Sequence, residues 1–331
     1  MERFALAAAV VLGFALTAAL CSLFVPLRRV LERREQQQQP VQSEQPRPAP
    51  LRAPLWGGLC AAAGTVAAVG VGWLAACVGQ PELLGSEGRL MTRLLTALAG
   101  SLAFGAVGLA EDLARMRSPA ALGLRRDVRL LLEALAAAFV LLLQRAAGCL
   151  PRGLGVPGAG YVLLGSAVPF LWAVLMVTLA ECARIAERDE GTVCGAAFVA
   201  MLALMMVEAG LGVSGLAVLP AALAGALVAL GLWAFPPAKL GVGCCGSLLA
   251  AGAIGCIPLS LDMTSLTVPL ALPFWAAGGL LAAQLLCAKR TGKPLRCWVK
   301  KHKMSPETVF LCSFALSAVG YVLALALLRW C

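Results

Sequence analysis

The sequence has two kinds of residue that can handle a charged substrate, and both lie close to long apolar segments. Lys239 precedes the glycine-rich stretch Gly243–Gly246, and an ammonium group together with backbone N–H groups can bind a phosphate. Acidic side chains are concentrated in the pair Glu111–Asp112 and in the run Glu181–Glu190. Phosphate binding is therefore one function to consider, although close helix packing explains the glycines equally well.

The acidic residues also have purely structural explanations. Glu111 and Asp112 could cap a helix where it meets water. Arginines stand at helical spacing from the carboxylates of the run Glu181–Glu190, so salt-bridged surface charge is the simplest interpretation of that run. Glu133 lies one helical turn from Arg129. A carboxylate inside an apolar membrane segment is usually functional, but an ion pair with Arg129 is the more economical expectation.

The composition defines the elements that must position these residues. Of the 331 residues, 60% are hydrophobic and 13% are charged, and the mean hydropathy is +0.87. Soluble domains carry about 25% charged residues, whereas a helix of about 20 apolar residues spans a bilayer. We therefore predict an all-α integral membrane protein with ten spans, near 4–26, 54–79, 91–110, 128–149, 160–181, 191–208, 211–235, 243–260, 266–288 and 308–330.

The distribution of positive charge predicts the orientation of these spans. Loops that follow odd-numbered spans hold 21 of the 27 Lys and Arg residues, and the positive-inside rule makes that side cytoplasmic. Both termini then face outward. We expect one multi-pass domain over residues 1–331, with a flexible cytoplasmic loop at 35–53 and compact cytoplasmic loops at 111–127, 182–190, 236–242 and 289–307.

Two other classes of protein are excluded by the placement of charged residues and cysteines. The net charge of +10 does not indicate nucleic-acid binding, because the cations lie in short loops and no aromatic stacking platform accompanies them. A zinc site is not expected, since His302 is the only histidine and the 13 cysteines form no CxxC pair. Most of these cysteines lie within apolar segments, where they act as small buried side chains.

The motifs at the predicted cytoplasmic loops have a recognisable order and spacing. This layout resembles the polyprenyl-phosphate N-acetylhexosamine-1-phosphate transferases of glycosyltransferase family 4, and most closely the phospho-N-acetylmuramoyl-pentapeptide transferases. The resemblance covers nearly the whole chain. It is carried by Ala53-Pro54-Leu55-Trp56-Gly57-Gly58, Glu111-Asp112 with Gly123-Leu124, the run from Glu181 to Gly191, Pro237-Ala238-Lys239, Gly243 to Ser247, and Ser305-Pro306-Glu307.

That resemblance implies ten spans with both termini outside the cytoplasm of a bacterial plasma membrane. It implies transfer of a phosphosugar from a UDP-sugar to undecaprenyl phosphate, in peptidoglycan lipid I synthesis, with Mg²⁺ neutralising phosphate charge. The roles implied for particular residues are proximity to the lipid phosphate for Glu111 and Asp112, proximity to the pyrophosphate for Lys239, metal ligation for Glu187 or Glu190, and substrate binding for Gly243, Gly246 and Ser247.

The sequence departs from the family pattern at its reactive positions. Glu111 stands where the family has aspartate, and Cys244 replaces the aspartate expected to coordinate the metal. A thiol is a poor ligand for Mg²⁺. The family's asparagine and aspartate positions in the third motif hold Glu181, Arg184, Glu187 and Glu190, and its three histidines are replaced by Arg296, Cys297 and Trp298.

Three functional hypotheses follow from this pattern. The first is a degenerate homologue with little or no transferase activity, which still binds polyprenyl phosphate or partners a cell-wall enzyme or a second copy of itself. The second is an active transferase whose Mg²⁺ site is built on glutamates, because acidity persists at Glu111, Asp112, Glu187 and Glu190. The third is a transporter of lipid phosphates, which only the number of spans favours.

Overall fold

The computed structural model describes residues 2–38, 56–79, 88–117, 123–151, 153–156, 160–163, 165, 167–187, 192–213, 215–235, 238–291 and 306–330. Within these residues the chain is almost entirely helical. The elements in chain order are α1 (Glu2–Gln38), α2 (Gly57–Gly79), α3 (Gly88–Arg117), α4 (Arg126–Ala146), the strands β1 (Gly153–Val156) and β2 (Gly160–Leu163), α5 (Ala167–Ala186), α6 (Thr192–Gly210), α7 (Val218–Ala234), α8 (Gly243–Ser260), α9 (Thr267–Leu270), α10 (Leu272–Thr291) and α11 (Pro306–Trp330).

The helices confirm an all-α integral membrane protein. Each of the ten predicted segments contains a helix, and in the described residues seven helices are long and apolar enough to cross a membrane, or eight if a bent pair is one span. The two remaining helices fall short in different ways. Helix α7 has 17 residues, and α4 carries Arg129, Glu133 and Arg145 along its length. The count of ten spans therefore stays a prediction.

Three features of the predicted segments were wrong. Residues 160–163, expected to begin a span, form a strand that pairs antiparallel with Gly153–Val156. The sequence between the two strands contains Pro-Gly, a dipeptide typical of turns. The ninth segment is broken, with a bend of 63° between Thr264–Leu270 and Leu272–Ala283. Helix α3 continues seven residues beyond the predicted 110, because Glu111 and Arg115 pair at i,i+4 spacing.

The helix boundaries also change the predicted loops. Residues 35–38 of the expected flexible loop 35–53 belong to α1, and residues 182–186 of the expected loop 182–190 belong to α5. The rest of loop 35–53, and most of loop 289–307 with its basic residues, lie outside the described residues.

Helix α8 forms the centre of the bundle. All its residues from Gly243 to Ser260 are buried, and it packs most extensively against α3, with further contacts to α2, α5 and α6. A helix that is apolar on every side is expected in such a position. The indole N–H of Trp172 in α5 donates to the carbonyl oxygen of Gly255 at 3.2 Å, which ties these two helices together.

Glycines allow the neighbouring helices to approach the backbone of α8. A Cβ on Gly58 in α2 would overlap the backbone nitrogen of Gly246, and a Cβ on Gly108 in α3 would overlap the carbonyl oxygen of Cys244. Helices can come this close only where side chains are absent. Close packing therefore accounts for the glycines of α2 and α3 that face the start of α8.

A matched pair of substitutions in α2 tests this contact. Gly58→Ala is expected to lower the free energy of unfolding by about 1–3 kcal/mol, because the new methyl group has no space. Gly70→Ala in the same helix is the control, since a Cβ there meets nothing within 4 Å. Thermal unfolding in detergent measures both, and equal midpoints would contradict the packing argument.

Candidate functional site

Four helix ends converge at one end of the bundle, and most of the buried charge of the described residues is gathered there. The C-terminal ends of α3 and α5 meet the N-terminal ends of α4 and α8. Their side chains form an ionic network, which we define as Glu111, Asp112, Arg115, Arg129, Glu181, Arg184 and Glu187. This is the region to which the sequence motifs pointed.

Asp112 binds the start of helix α8 with both of its carboxylate oxygens. Oδ1 accepts the backbone N–H of Cys244 at 3.0 Å and Oδ2 accepts that of Cys245 at 2.8 Å. Asp112 is 1% exposed, so it caps a neighbouring helix in the interior. The sequence by itself had suggested instead that it caps its own helix where that helix meets water. Gly243 has φ +71°, a left-handed conformation that favours glycine where α8 begins.

Arg115 is the cation nearest to Asp112 in the network. Its guanidinium lies 2.8 Å from Glu111, 3.5 Å from Glu187 and 3.9 Å from Asp112, measured nitrogen to oxygen. Gly123, at φ +67°, closes over this group, since a Cβ there would lie 3.1 Å from Cγ of Arg115. The glycine of the Gly123-Leu124 motif thus has a local role, because its left-handed backbone disfavours a side chain and a Cβ would press on Arg115.

Two further arginines extend the network across α4 and α5. Arg129 donates to Glu181 at 2.7 Å and lies 3.7 Å from Glu111, and Arg184 donates to the second oxygen of Glu181 at 2.6 Å. Three guanidinium groups thus face four carboxylates in alternating order. Most of the negative charge is compensated by cations of the chain itself, as buried charge requires.

The structure brings together several of the residues predicted to form the site. Asp112, Glu187 and Cys244 have ligand atoms within 4.8 Å of one another, and Glu111 shares Arg115 with two of these residues. Cys244 is fully buried, and its thiol lies 3.2 Å from Oε2 of Glu187 as a hydrogen-bond donor. Glu187 therefore faces this group and lies 3.5 Å from Arg115, whereas the salt bridge expected from helical spacing in its run forms between Arg184 and Glu181. Glu190 lies outside the described residues.

The remaining predicted site residues make contacts of other kinds. Lys239 is exposed, with its Nζ 5.7 Å from the centre of the Trp233 ring. The Ser247 hydroxyl donates to the carbonyl oxygen of Gly243 at 2.9 Å, and Gly246 lies against Gly58. The N–H groups of Cys244 and Cys245 are directed at Asp112. A substrate-binding role for Gly243, Gly246 and Ser247 stays a prediction.

The expected ion pair between Glu133 and Arg129 was wrong. Arg129 turns towards Glu181 on the neighbouring helix α5, while both carboxylate oxygens of Glu133 are buried and have no hydrogen-bond partner. Glu133 is 0% exposed. The i,i+4 spacing made a local pair sterically accessible, but the carboxylate of α5 gives Arg129 a shorter contact through its Nε.

The donor set does not fit Mg²⁺, the ion that the sequence motifs imply. Mg²⁺ requires hard oxygen ligands in octahedral geometry, but Asp112 already accepts two N–H groups and Cys244 offers sulfur. Arg115 also lies beside the same carboxylates. Two unit charges about 4 Å apart interact by about 4 kcal/mol at an effective dielectric constant of about 20, so a divalent cation beside the guanidinium would meet roughly twice that repulsion.

Sequence reasoning anticipated that arginines pair with the run Glu181–Glu190, as Arg184 does with Glu181, but it missed Arg115 and the partner of Arg129. Arg115 stands three residues after Asp112 and four after Glu111, and this helical spacing is the signal that could have revealed its contacts. The contact from Arg129 to Glu181 joins residues 52 positions apart, and no local pattern announces it.

The fold and the site together define the class of this protein. It is an all-α membrane protein in which acidic motif residues meet at the buried start of a central helix. The chain belongs to glycosyl transferase family 4, whose model matches residues 94–262. It is 25% identical over 309 residues to the phospho-N-acetylmuramoyl-pentapeptide-transferase of Geobacillus kaustophilus (strain HTA426), covering 92% of this chain and 89% of that protein.

The ionic network makes a prediction about stability. Arg129→Gln is expected to lower the free energy of unfolding by about 3–5 kcal/mol, because Glu181 and Glu111 lose a buried cation. Thermal or detergent-induced unfolding of the purified protein measures this loss.

Arg125→Gln is the matched control for that experiment. Arg125 contacts Asp127 at 3.8 Å, but both side chains are 85% exposed, and exposed pairs contribute little. We expect no measurable change in this variant. A loss of unfolding free energy as large as that of Arg129→Gln would show that the buried network contributes no more to stability than an exposed ion pair.

Proposed function

We propose that this protein is a family member with little or no phosphosugar transferase activity, which keeps the membrane scaffold and binds polyprenyl phosphate. The observation that carries the proposal is that the acidic motif residues are held by donors of the chain itself. Asp112 accepts two backbone N–H groups, and Glu111 contacts Arg115 and Arg129. Groups held in this way are poorly placed to bind a metal or to accept a proton.

The chemistry of phosphoryl transfer supports this proposal. The reaction depends on positioning and on cations that neutralise the phosphates, and catalytic groups that act as a unit lose their effect together. Here Cys244 stands at the expected metal ligand, and Arg296, Cys297 and Trp298 stand in place of three histidines. A single remaining aspartate, Asp112, would not restore the rate.

Binding of the lipid substrate is supported by the retained scaffold. The similarity to the Geobacillus protein, named for transfer of phospho-N-acetylmuramoyl-pentapeptide, extends over 92% of this chain. The Lys239 ammonium is exposed in the loop before α8, where it can contact a phosphate headgroup. Undecaprenyl phosphate is therefore the proposed ligand. The UDP-sugar is the second substrate only if the protein is active, and a cell-wall enzyme or a second copy is the proposed partner.

A second candidate is an active transferase with a remodelled metal site. It is favoured by the convergence of Asp112, Glu187 and Cys244, whose ligand atoms lie within 4.8 Å of one another. That function would require this group to rearrange, because Asp112 and Glu187 are now held by backbone N–H groups and by Arg115.

One assay distinguishes these two functions. Purified protein is incubated with UDP-MurNAc-pentapeptide, undecaprenyl phosphate and Mg²⁺, beside an Asp112→Asn variant. The proposal predicts equal product in both samples, because the wild-type site does not turn over. Turnover by the wild type above that of the Asp112→Asn variant would establish that the protein is an active transferase.

Lipid binding is measured in the same preparation by hydrogen exchange. Polyprenyl phosphate should protect backbone amides of the wild type, with weaker protection in Lys239→Gln. Unchanged exchange in the wild type would remove the binding role.

We also propose the orientation predicted by the positive charges, with both termini on the outer face of a bacterial plasma membrane. Alkaline phosphatase is active only after export, so a fusion after Cys331 should be active in a bacterial host. A fusion after Lys239 should be inactive, because that loop is assigned to the cytoplasm. The reverse pattern of activity would invert the topology.

A further inference from the structure

The ligand atoms of Asp112, Glu187 and Cys244 are close enough together to hold a metal ion, but the guanidinium of Arg115 already pairs with the two carboxylates. A metal ion can be exchanged with solvent, whereas Arg115 is fixed to helix α3 by the chain. Its NH1 lies 3.5 Å from Oε2 of Glu187 and 3.9 Å from Oδ1 of Asp112. The same Oε2 of Glu187 accepts a hydrogen bond from the Cys244 thiol at 3.2 Å.

We infer that Arg115 is a permanent internal counter-ion that takes the place of a divalent cation among Asp112, Glu187 and Cys244. The wild-type group therefore does not bind Mg²⁺ or Mn²⁺. The fold would form a metal site at this position if the guanidinium were removed and an oxygen ligand replaced the sulfur. The inference stands on the geometry of the site, independently of whether the protein transfers a sugar.

The charges around Arg115 support this assignment. Three carboxylates converge on one guanidinium, and its closest contact is with Glu111 at 2.8 Å. The other oxygen of Glu111, Oε2, is buried and has no hydrogen-bond partner. The network therefore holds more acceptor capacity than its arginines use. Without Arg115, three acidic groups would lie together, and none of the described residues would form an ion pair within 4.0 Å of Asp112 or Glu187, which favours the binding of a divalent ion.

The chemistry of the ligands explains why two changes are needed. A guanidinium is a planar set of donors that satisfies carboxylates without any change of protonation, so it tolerates a neutral thiol nearby. Mg²⁺ and Mn²⁺ prefer oxygen ligands, and Cys244 supplies a thiol that donates to Glu187. Arg115→Gln removes the competing charge, and Cys244→Asp adds the third carboxylate.

The test uses Mn²⁺ alone as the probe, with the full-length protein in detergent and bound metal counted by electron paramagnetic resonance. The double variant Arg115→Gln/Cys244→Asp should bind one Mn²⁺ more than the wild type, with an affinity at least about tenfold higher than any site of the wild type. Adding Glu187→Gln should abolish that ion. Arg115→Lys, which keeps a positive charge, should gain none.

Arg125→Gln is the matched control, because it removes an exposed arginine whose ion-pair partner among the described residues is the equally exposed Asp127. It should bind Mn²⁺ like the wild type. A wild-type Mn²⁺ ion that Glu187→Gln removes would overturn the inference, and so would a folded double variant that gains no metal. If the double variant does not fold, the comparison of wild type with Glu187→Gln still decides the matter. Transferase activity would refute the proposed function without altering any of these metal counts.

Discussion

The structure depends on the attachment of Asp112 to the first turn of the central helix. A buried carboxylate there accepts two N–H groups that have no partner within their own helix, and it lies at the positive end of the helix dipole. Helices α3 and α8 are consequently fixed against each other where the acidic residues gather. Gly58 and Gly108 complete the contact by letting neighbouring backbones reach α8.

That attachment has a cost, because it brings negative charge into a buried region. Arginines on three helices compensate this charge. Glu111 lies between Arg115 and Arg129, and Glu181 lies between Arg129 and Arg184. Guanidinium groups suit this task because they bind carboxylates in a fixed planar geometry and remain charged. A site that is neutralised from within has less need of an ion from solution.

Family membership and site chemistry therefore lead to different conclusions about this protein. The helices, the order of the motifs and the similarity over 92% of the chain connect it with phosphosugar transferases. The contacts of Glu111, Asp112 and Cys244 describe a group whose polar atoms are used to hold helices together. Fold is preserved by packing over many residues, whereas catalysis depends on a few side chains, so the second can change while the first persists.

The sequence by itself determined the membrane class and the segments that form helices, because hydropathy and charge are properties of short stretches. It placed the acidic motifs near the ends of these helices but put Glu111 and Asp112 in a loop, whereas they belong to α3. Helix α8 has the limits predicted for it, 243–260. Only the tertiary structure decided which charges meet. Arg129 pairs with Glu181 and leaves Glu133 without a hydrogen-bond partner, because contacts between helices depend on their rotation and depth, and residue spacing within one helix cannot specify these.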